Sequence, residues 1–258
     1  MTVARNAAHQ AGGIIMDRFL KLEKIEKKGA VDLVTEADKL SEEAIVGMIK
    51  SAFPDDNIIA EEGDYQPGDP VAPRWIIDPL DGTTNYVHGL PIFAISIGYQ
   101  VNRETMLGIV YNPASGEEFG AIRGQGATLN GTPIGVSNCS DLAEALLATG
   151  FPYQHDDTFF KSFDLFGEFY SRCQGIRRMG AAAIDLCYVA AGRFDGFYEA
   201  NLQPWDVCAG DLICREAGGK TSDWGNAPMP FTGNRVLASN CLIHGQMLNI
   251  LAAYGPGN

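Results

Sequence analysis

The chain has 258 residues, enough for one large domain or two that pack closely, and its 46% hydrophobic and 20% charged content without a low-complexity tract excludes a disordered or fibrous protein. Thirty-two acids against 19 Lys and Arg leave a formal net charge of −13, a field that repels nucleic acid phosphates and anionic membranes and leaves carboxylates for divalent cations. No stretch approaches roughly eighteen apolar residues and Met1 to Phe19 lacks an apolar targeting core, so no membrane helix or leader is expected. The six cysteines (Cys139, Cys173, Cys187, Cys208, Cys214, Cys241) form no C-x-x-C pair and no His pair has ligand spacing, which argues against zinc and for free thiols in the cytoplasm.

Apolar residues at 4, 7, 8, 11, 15, 19 and 22 predict an amphipathic helix over about the first 20 residues, followed by a charged extended or loop segment from Lys24 to Asp32. A second helix carries the stripe Leu40, Ala44, Ile45, Met48, Ile49 and Ala52; Thr35-x-x-Asp38 before it has the form of a capping box, and Pro54 closes it. The middle third reads as strands at Trp75–Ile77, Phe93–Tyr99, Met106–Tyr111 and Glu118–Ile122, whose short connections imply an antiparallel sheet. After about residue 138 the pattern alternates: strand Ala145–Thr149, helix about Thr158–Cys173, a helix opening at Gly180, strand Phe194–Tyr198 and helix about Asp206–Ala217, capped by Gly218-Gly219. An α+β half (1–137) with an antiparallel sheet and an α/β half (138–258), packed as one unit, is the expected organisation. The last residues, Tyr254 to Asn258, are expected to be disordered.

The chemistry centres on Asp78-Pro-Leu-Asp-Gly-Thr-Thr-Asn85, read as a loop at a strand end. Two carboxylates three apart with Pro79 fixing the turn can bracket metal ions, Gly82 permits close backbone approach, and Thr83 and Thr84 offer hydroxyls and N–H groups to an anion. Each acid also has an ordinary explanation: Asp and Gly dominate turns, Glu61-Glu62 at a strand end is a solvated edge, Asp206 opens a helix, and Asp38 belongs to the Thr35 cap. Together they are the inventory that phosphate-ester hydrolysis by Mg²⁺ requires, because hard cations take oxygen ligands and two ions about 4 Å apart need three or four carboxylates.

Asp32-Leu-Val-Thr-Glu-Ala-Asp38, Ala60-Glu-Glu-Gly63, Trp75 through Asn85, and Trp205-Asp-Val-Cys-Ala-Gly210 with Glu216-Ala-Gly-Gly219 resemble, in order and over nearly the whole chain, the signatures of the inositol monophosphatase family. The resemblance implies a layered α+β and α/β sandwich (αβαβα) of the inositol monophosphatase and fructose bisphosphatase kind. It also implies a lithium-sensitive phosphatase using two or three Mg²⁺ ions, and a homodimer. Carried over, it assigns Glu61, Asp78, the Leu80 carbonyl, Asp81 and Asp206 to the metals, Thr83 with Asp38 behind it to the attacking water, and Glu61 to polarising that water. Gly82 and Thr83 N–H groups would cradle phosphate, and Asp81, Ala182 and Glu199 would contact the hydroxyls of a phosphorylated cyclitol or sugar. Ala60, Ala181 and Pro204 depart from common family residues without removing a metal ligand. No Asp-x-Asp-x-Thr nucleophile, Cys-x5-Arg loop or catalytic His cluster appears, which argues against a phosphoenzyme. Fructose 1,6-bisphosphate, NADP, histidinol phosphate and 3′-phosphoadenosine 5′-phosphate remain alternative substrates, and a regulatory, protein-binding member of the fold remains an alternative role. Arg177-Arg178 receives no role from the sequence.

Overall fold

The computed structural model describes residues 1–21, 25–27, 33–63, 69, 71–152 and 157–254. Expectations for Asp32, for most of the Lys24–Asp32 segment and for residues 255–258 lie outside them. Helix α1 (Thr2–Arg18) buries Ala4, Ala7, Ala8, Ala11 and Ile15 on one face, the three-to-four spacing that stacks side chains along a helix. A short antiparallel ribbon, β1 (Ile25–Lys27) with β2 (Leu33–Thr35), leads into α2 (Glu36–Ala52). The capping box is complete: Ala37 N–H donates to Thr35 Oγ1 at 3.1 Å, and Thr35 N–H donates to Asp38 Oδ2 at 2.8 Å. A cap of this kind is worth about 1 kcal/mol. The buried face of α2 runs through Ala37, Asp38, Ser41, Ile45 and Ile49, turned from the apolar stripe that begins at Leu40. Ser41 faces inward because its hydroxyl donates to the Pro79 carbonyl at 2.8 Å.

A seven-stranded sheet follows, in sequential order: β3 (Asn57–Ala60), β4 (Arg74–Asp81), β5 (Ala94–Val101), β6 (Glu104–Asn112), β7 (Glu117–Ile122), β8 (Ala127–Leu129) and β9 (Thr132–Pro133). The expected antiparallel pairing holds from β4 onward, whereas β3 joins β4 in parallel. Every residue of β4 is buried. The strand does not end at Ile77 as the sequence suggested: pairing with β5 resumes at Asp81↔Ala94 after a register shift that follows Asp78↔Ser96. Pro79, with no N–H to give a ladder, is accommodated in this bulge, and the bulge re-aims the two aspartates that flank it. A one-and-a-half-turn helix, α3 (Thr83–Val87), comes next.

The second sheet has strand order β11 (Gly175–Arg177), β10 (Leu146–Thr149), β12 (Gly196–Glu199), β14 (Val236–Ser239), β13 (Lys220–Ser222), with β10 parallel to both its neighbours and β14 antiparallel to both of its own. Helix α4 (Asp157–Tyr170) connects β10 to β11, α5 (Ala182–Ala190) precedes β12, α6 (Pro204–Glu216) precedes β13, and α7 (His244–Leu251) ends the fold. The layers run α1 and α2, the seven-stranded sheet, α5 and α6, the five-stranded sheet, then α4 and α7. All but one residue of α5 is buried, as a helix between two sheets demands. Helix α6 presses closely on the first sheet: a Cβ at Gly98 would lie 2.6 Å from Cys208 Sγ, and one at Gly108 would lie 2.8 Å from the Ala209 carbonyl oxygen. The start of α6 is tied to β5 by the Ser96 hydroxyl, which donates to the Trp205 carbonyl at 3.0 Å, and Ser96 pairs with Asp78 across the ladder.

Candidate active site

Three chain segments bring carboxylates to one place: the bulged end of β4, the turn after β3 and the first turn of α6. Asp78 Oδ1 accepts from Leu80 N–H at 2.9 Å, Asp81 Oδ2 from Ala183 N–H at 2.7 Å, and Asp206 Oδ2 from Gln203 N–H at 2.7 Å. One oxygen of each is therefore held by backbone. Asp206 accepts the N–H of the residue that precedes α6, so the same side chain that starts α6 acts on the cluster. Burial above all pushes the Asp78 carboxyl well up from its ordinary value, with the charges of Glu61, Asp81 and Asp206 adding to it. Asp81 is raised by burial and by Asp206, against the pull of the Ala183 N–H. Burial raises Asp206 to about 6, opposed by the Gln203 N–H and by Asp78, which lies within hydrogen-bonding reach.

Among the described residues no three acids close on one point as a ready-made chelate, yet their charges act strongly on one another. Like charges with oxygen-only donors, two of them buried and two half-buried, are an unfavourable arrangement that a hard divalent cation relieves, and the Leu80 carbonyl adjoins the set. Asp78, Asp81, Asp206 and Glu61 thus fit a Mg²⁺ site.

Beside the acids, Thr83 Oγ1 donates toward both Asp38 Oδ1 and the Leu80 carbonyl, each at 3.0 Å. Asp38 does two jobs at once, since its Oδ2 takes the Thr35 N–H and the Thr35 hydroxyl at 2.8 and 2.6 Å. Its carboxyl is raised by burial, against the lowering by Thr35 and Thr83. The Thr83 proton is engaged on the protein side, so its oxygen is left to accept from a ligand. Gly82 has φ +89°, and a Cβ there would meet the Ile92 carbonyl oxygen at 2.9 Å and Ala181 Cβ at 3.2 Å. The turn accepts only glycine without strain.

The far wall is the start of α5 and the end of β12. No side chain caps α5. It is Ala183, rather than Ala182, whose N–H binds Asp81; Ala182 is buried in the same turn. The Glu199 carboxyl is raised to about 8 by burial, with Arg178 lowering it and Asp206 raising it further.

The inositol monophosphatase family model matches residues 1–254. The chain belongs to this family. It is 41% identical over 251 residues to the Nus factor SuhB of Pasteurella multocida, covering 96% of this chain and 94% of that relative. The structure of the extragenic suppressor protein suhB from Bartonella henselae is similar with TM-score 0.93 and 37% identity, over 100% of this chain and 99% of that one. The Thermotoga maritima IMPase matches with TM-score 0.89 at 37% identity, over 96% and 94%. The αβαβα layering expected from the sequence is the fold of these neighbours.

The structure also recruits residues that the sequence reading passed over. Glu42 accepts the Glu62 N–H at 2.9 Å and so fixes the turn that carries Glu61. Asn85 Nδ2 donates to the carbonyls of Ile92 and Met179, each at 2.8 Å, tying the Gly82 turn to the strand-to-helix turn before α5. Asn85 stood within the quoted motif; Glu42 gave no signal, being one acid among several on an amphipathic helix. Gly150 is required because Glu199 lies across it, with Oε1 2.0 Å from where a Cβ would be.

Proposed function

We infer that this protein is a Mg²⁺-dependent phosphate monoester hydrolase acting on myo-inositol monophosphates. The observation that carries the reading is the cluster of buried Asp78 and Asp81 with half-buried Asp206, each pinned by one backbone N–H, with like charges acting on Asp78. Members of the family generally use Mg²⁺. When bound, Mg²⁺ supplies a lowered pKa for a water and neutralises charge on the departing ester oxygen; Asp78, Asp81, Asp206, Glu61 and the Leu80 carbonyl are the groups that would hold it, as two or three ions. Thr83, its proton directed to Asp38, presents an oxygen lone pair that orients the attacking water, and Glu61 assists in polarising that water. The N–H groups of Gly82 and Thr83 receive phosphate oxygens at a backbone turn that a side chain would block. Glu199, Ala182 and Asp81 form the wall against which a polyol leaving group rests. The reading needs no covalent intermediate.

Among the described residues no helix is long and apolar enough to cross a membrane, and the reading places the enzyme in the cytoplasm with lithium as an inhibitor. The aromatic side chains exposed on α4 (Phe160, Phe163 and Tyr170) beside the edge strand β11 support a homodimer. Curated relatives carry the name Nus factor, and this favours a second reading in which the protein also binds a regulatory protein partner. The −13 charge argues against direct contact with nucleic acid.

Phosphate release from inositol 1-phosphate, fructose 1,6-bisphosphate, NADP, histidinol phosphate and 3′-phosphoadenosine 5′-phosphate, with Mg²⁺ and with EDTA, tests the reading. Magnesium-dependent turnover led by inositol 1-phosphate is expected. A different leading ester would move the substrate assignment and keep the chemistry, whereas folded protein silent on every ester would leave the partner-binding reading.

A further inference from the structure

Asp185 is 1% exposed, and its Oδ1 has no hydrogen-bond partner among the described residues. The other aspartates of the site differ: Asp38, Asp78, Asp81 and Asp206 each hold a backbone N–H. A buried oxygen without a donor is a standing cost to the fold, and native proteins keep such groups mainly where a ligand or a held water completes them. The place of Asp185 in the chain says which ligand. It stands three residues after Ala182 on α5, hence on the same face of the helix one turn deeper, and two residues after Ala183, whose N–H holds Asp81. The charges that act on it come from Glu199 and Asp81 on one side of the balance and from Arg178 on the other. Besides its burial, it therefore feels both the carboxylate of the metal side and the carboxylate of the alcohol side. Arg178 is exposed, and its charge acts on both Asp185 and Glu199.

Resting on the phosphatase reading, we propose that Asp185 is a specificity-determining residue: its buried Oδ1 accepts a hydroxyl of a polyhydroxylated alcohol, directly or through one held water, next to the hydroxyl taken by Glu199. An ester of a simple alcohol or phenol leaves that acceptor empty and gains nothing from it. The site therefore selects cyclitol and sugar phosphates over alkyl or aryl phosphates, because the acceptor is completed only when the correct leaving group is seated.

The test compares wild type, Asp185→Asn and Asp185→Leu on inositol 1-phosphate and on p-nitrophenyl phosphate, with melting temperatures measured in parallel. Asn keeps an accepting oxygen and is expected to hold kcat/KM on inositol 1-phosphate within about threefold. Leu removes the acceptor on a side chain of the same branched shape, its methyls bulkier than the oxygens they replace. It is expected to lower kcat/KM on inositol 1-phosphate at least tenfold, with p-nitrophenyl phosphate changed by less than about twofold and the melting temperature equal or higher. Equal loss on both esters, or a lowered melting temperature in both variants, would assign Asp185 a structural role and overturn the proposal. Full activity of Asp185→Leu on both esters would overturn it as well while leaving the phosphatase reading intact. If Asp185→Leu does not fold, Asp185→Ala makes the same comparison. Wild-type protein inactive on both esters would instead defeat the phosphatase reading, and this inference with it.

Discussion

Replacing Asp206 with Asn separates a ligand from a structural acid, because the two roles predict opposite changes in stability. Asp206 has a carboxyl whose pKa moves from 3.8 to about 6, chiefly through burial. Keeping it ionised at pH 7 costs about 3 kcal/mol by that displacement alone. The residue is only partly buried at the cleft, and solvent reduces the figure to about 1–2 kcal/mol. Asn keeps an oxygen for the Gln203 N–H and carries no charge, so metal-free Asp206→Asn is expected to be the more stable protein. At about 2–4 °C per kcal/mol for a chain of this size, the melting temperature in EDTA should rise by about 2–8 °C. The sign has a pH signature. The raised carboxyl is neutral in both folded and unfolded states below 3.8, loses folded-state stability as pH rises to about 6, and bears the whole penalty above that. The gap between variant and wild type should therefore close near pH 4 and open fully by pH 7. Added Mg²⁺ reverses the order: at a hundred times its dissociation constant it stabilises wild type by about 2.7 kcal/mol, and the variant should lose most of that gain together with turnover, by orders of magnitude. Differential scanning calorimetry with and without Mg²⁺ and a phosphate-release assay read all three. Near-wild-type turnover, or a metal-free variant that melts several degrees lower, would refute the ligand assignment.

Thr83→Ala should lower kcat about a hundredfold while unfolding within about 1 kcal/mol of wild type, because Asp38 still holds the Thr35 cap; a comparable loss of stability in urea titrations would contradict the role given to its hydroxyl. Gly82→Ala should cost about 1–2 kcal/mol for its left-handed backbone alone, and more because the Ile92 oxygen it would strike is held by Asn85. Phosphate affinity, read by product inhibition, should fall with it, and unchanged affinity would argue against the backbone cradle. Far from the site, His244 is buried between the hydroxyls of Ser222 and Ser239 at 3.0 and 2.8 Å, and its pKa is pulled down to about 4 by burial and by Lys220. Its neutral form is the stable one, so stability should fall by about 1–3 kcal/mol as pH drops from 6.5 to 4, and His244→Gln should flatten that part of a thermal pH profile.

Periodicity placed α1 and α2 to within a few residues, since a helix that buries one face must repeat its apolar residues with the helical period, and the strand-helix alternation with the Gly218-Gly219 cap did as much for α4 and α6. The Thr35 cap was equally legible, because capping is a contact between residues three apart. The ordered motifs likewise named Asp38, Asp78, Asp81, Thr83 and Asp206, which the fold sets near one another around the end of β4 and the start of α6. What lay beyond the sequence was every fact that depends on a distant partner. Strand β4 continues through Pro79 to Asp81 only because β5 is there to resume pairing across a bulge. Ser41 faces inward because a carbonyl 38 residues away needs a donor, and Asn85 bridges to carbonyls as far as 94 residues off. Asp38 reads as a local cap in the sequence; only the packing of α2 against the end of β4 brings it to Thr83, 45 residues later. Asp185 looked like one more polar residue in a small-residue helix, and its unpartnered oxygen exists only because two sheets close over that helix. Local hydrogen bonds and periodic burial are written in neighbouring residues, whereas the mutual charge of the site and the satisfaction of its buried groups are set by which segments the layers bring together.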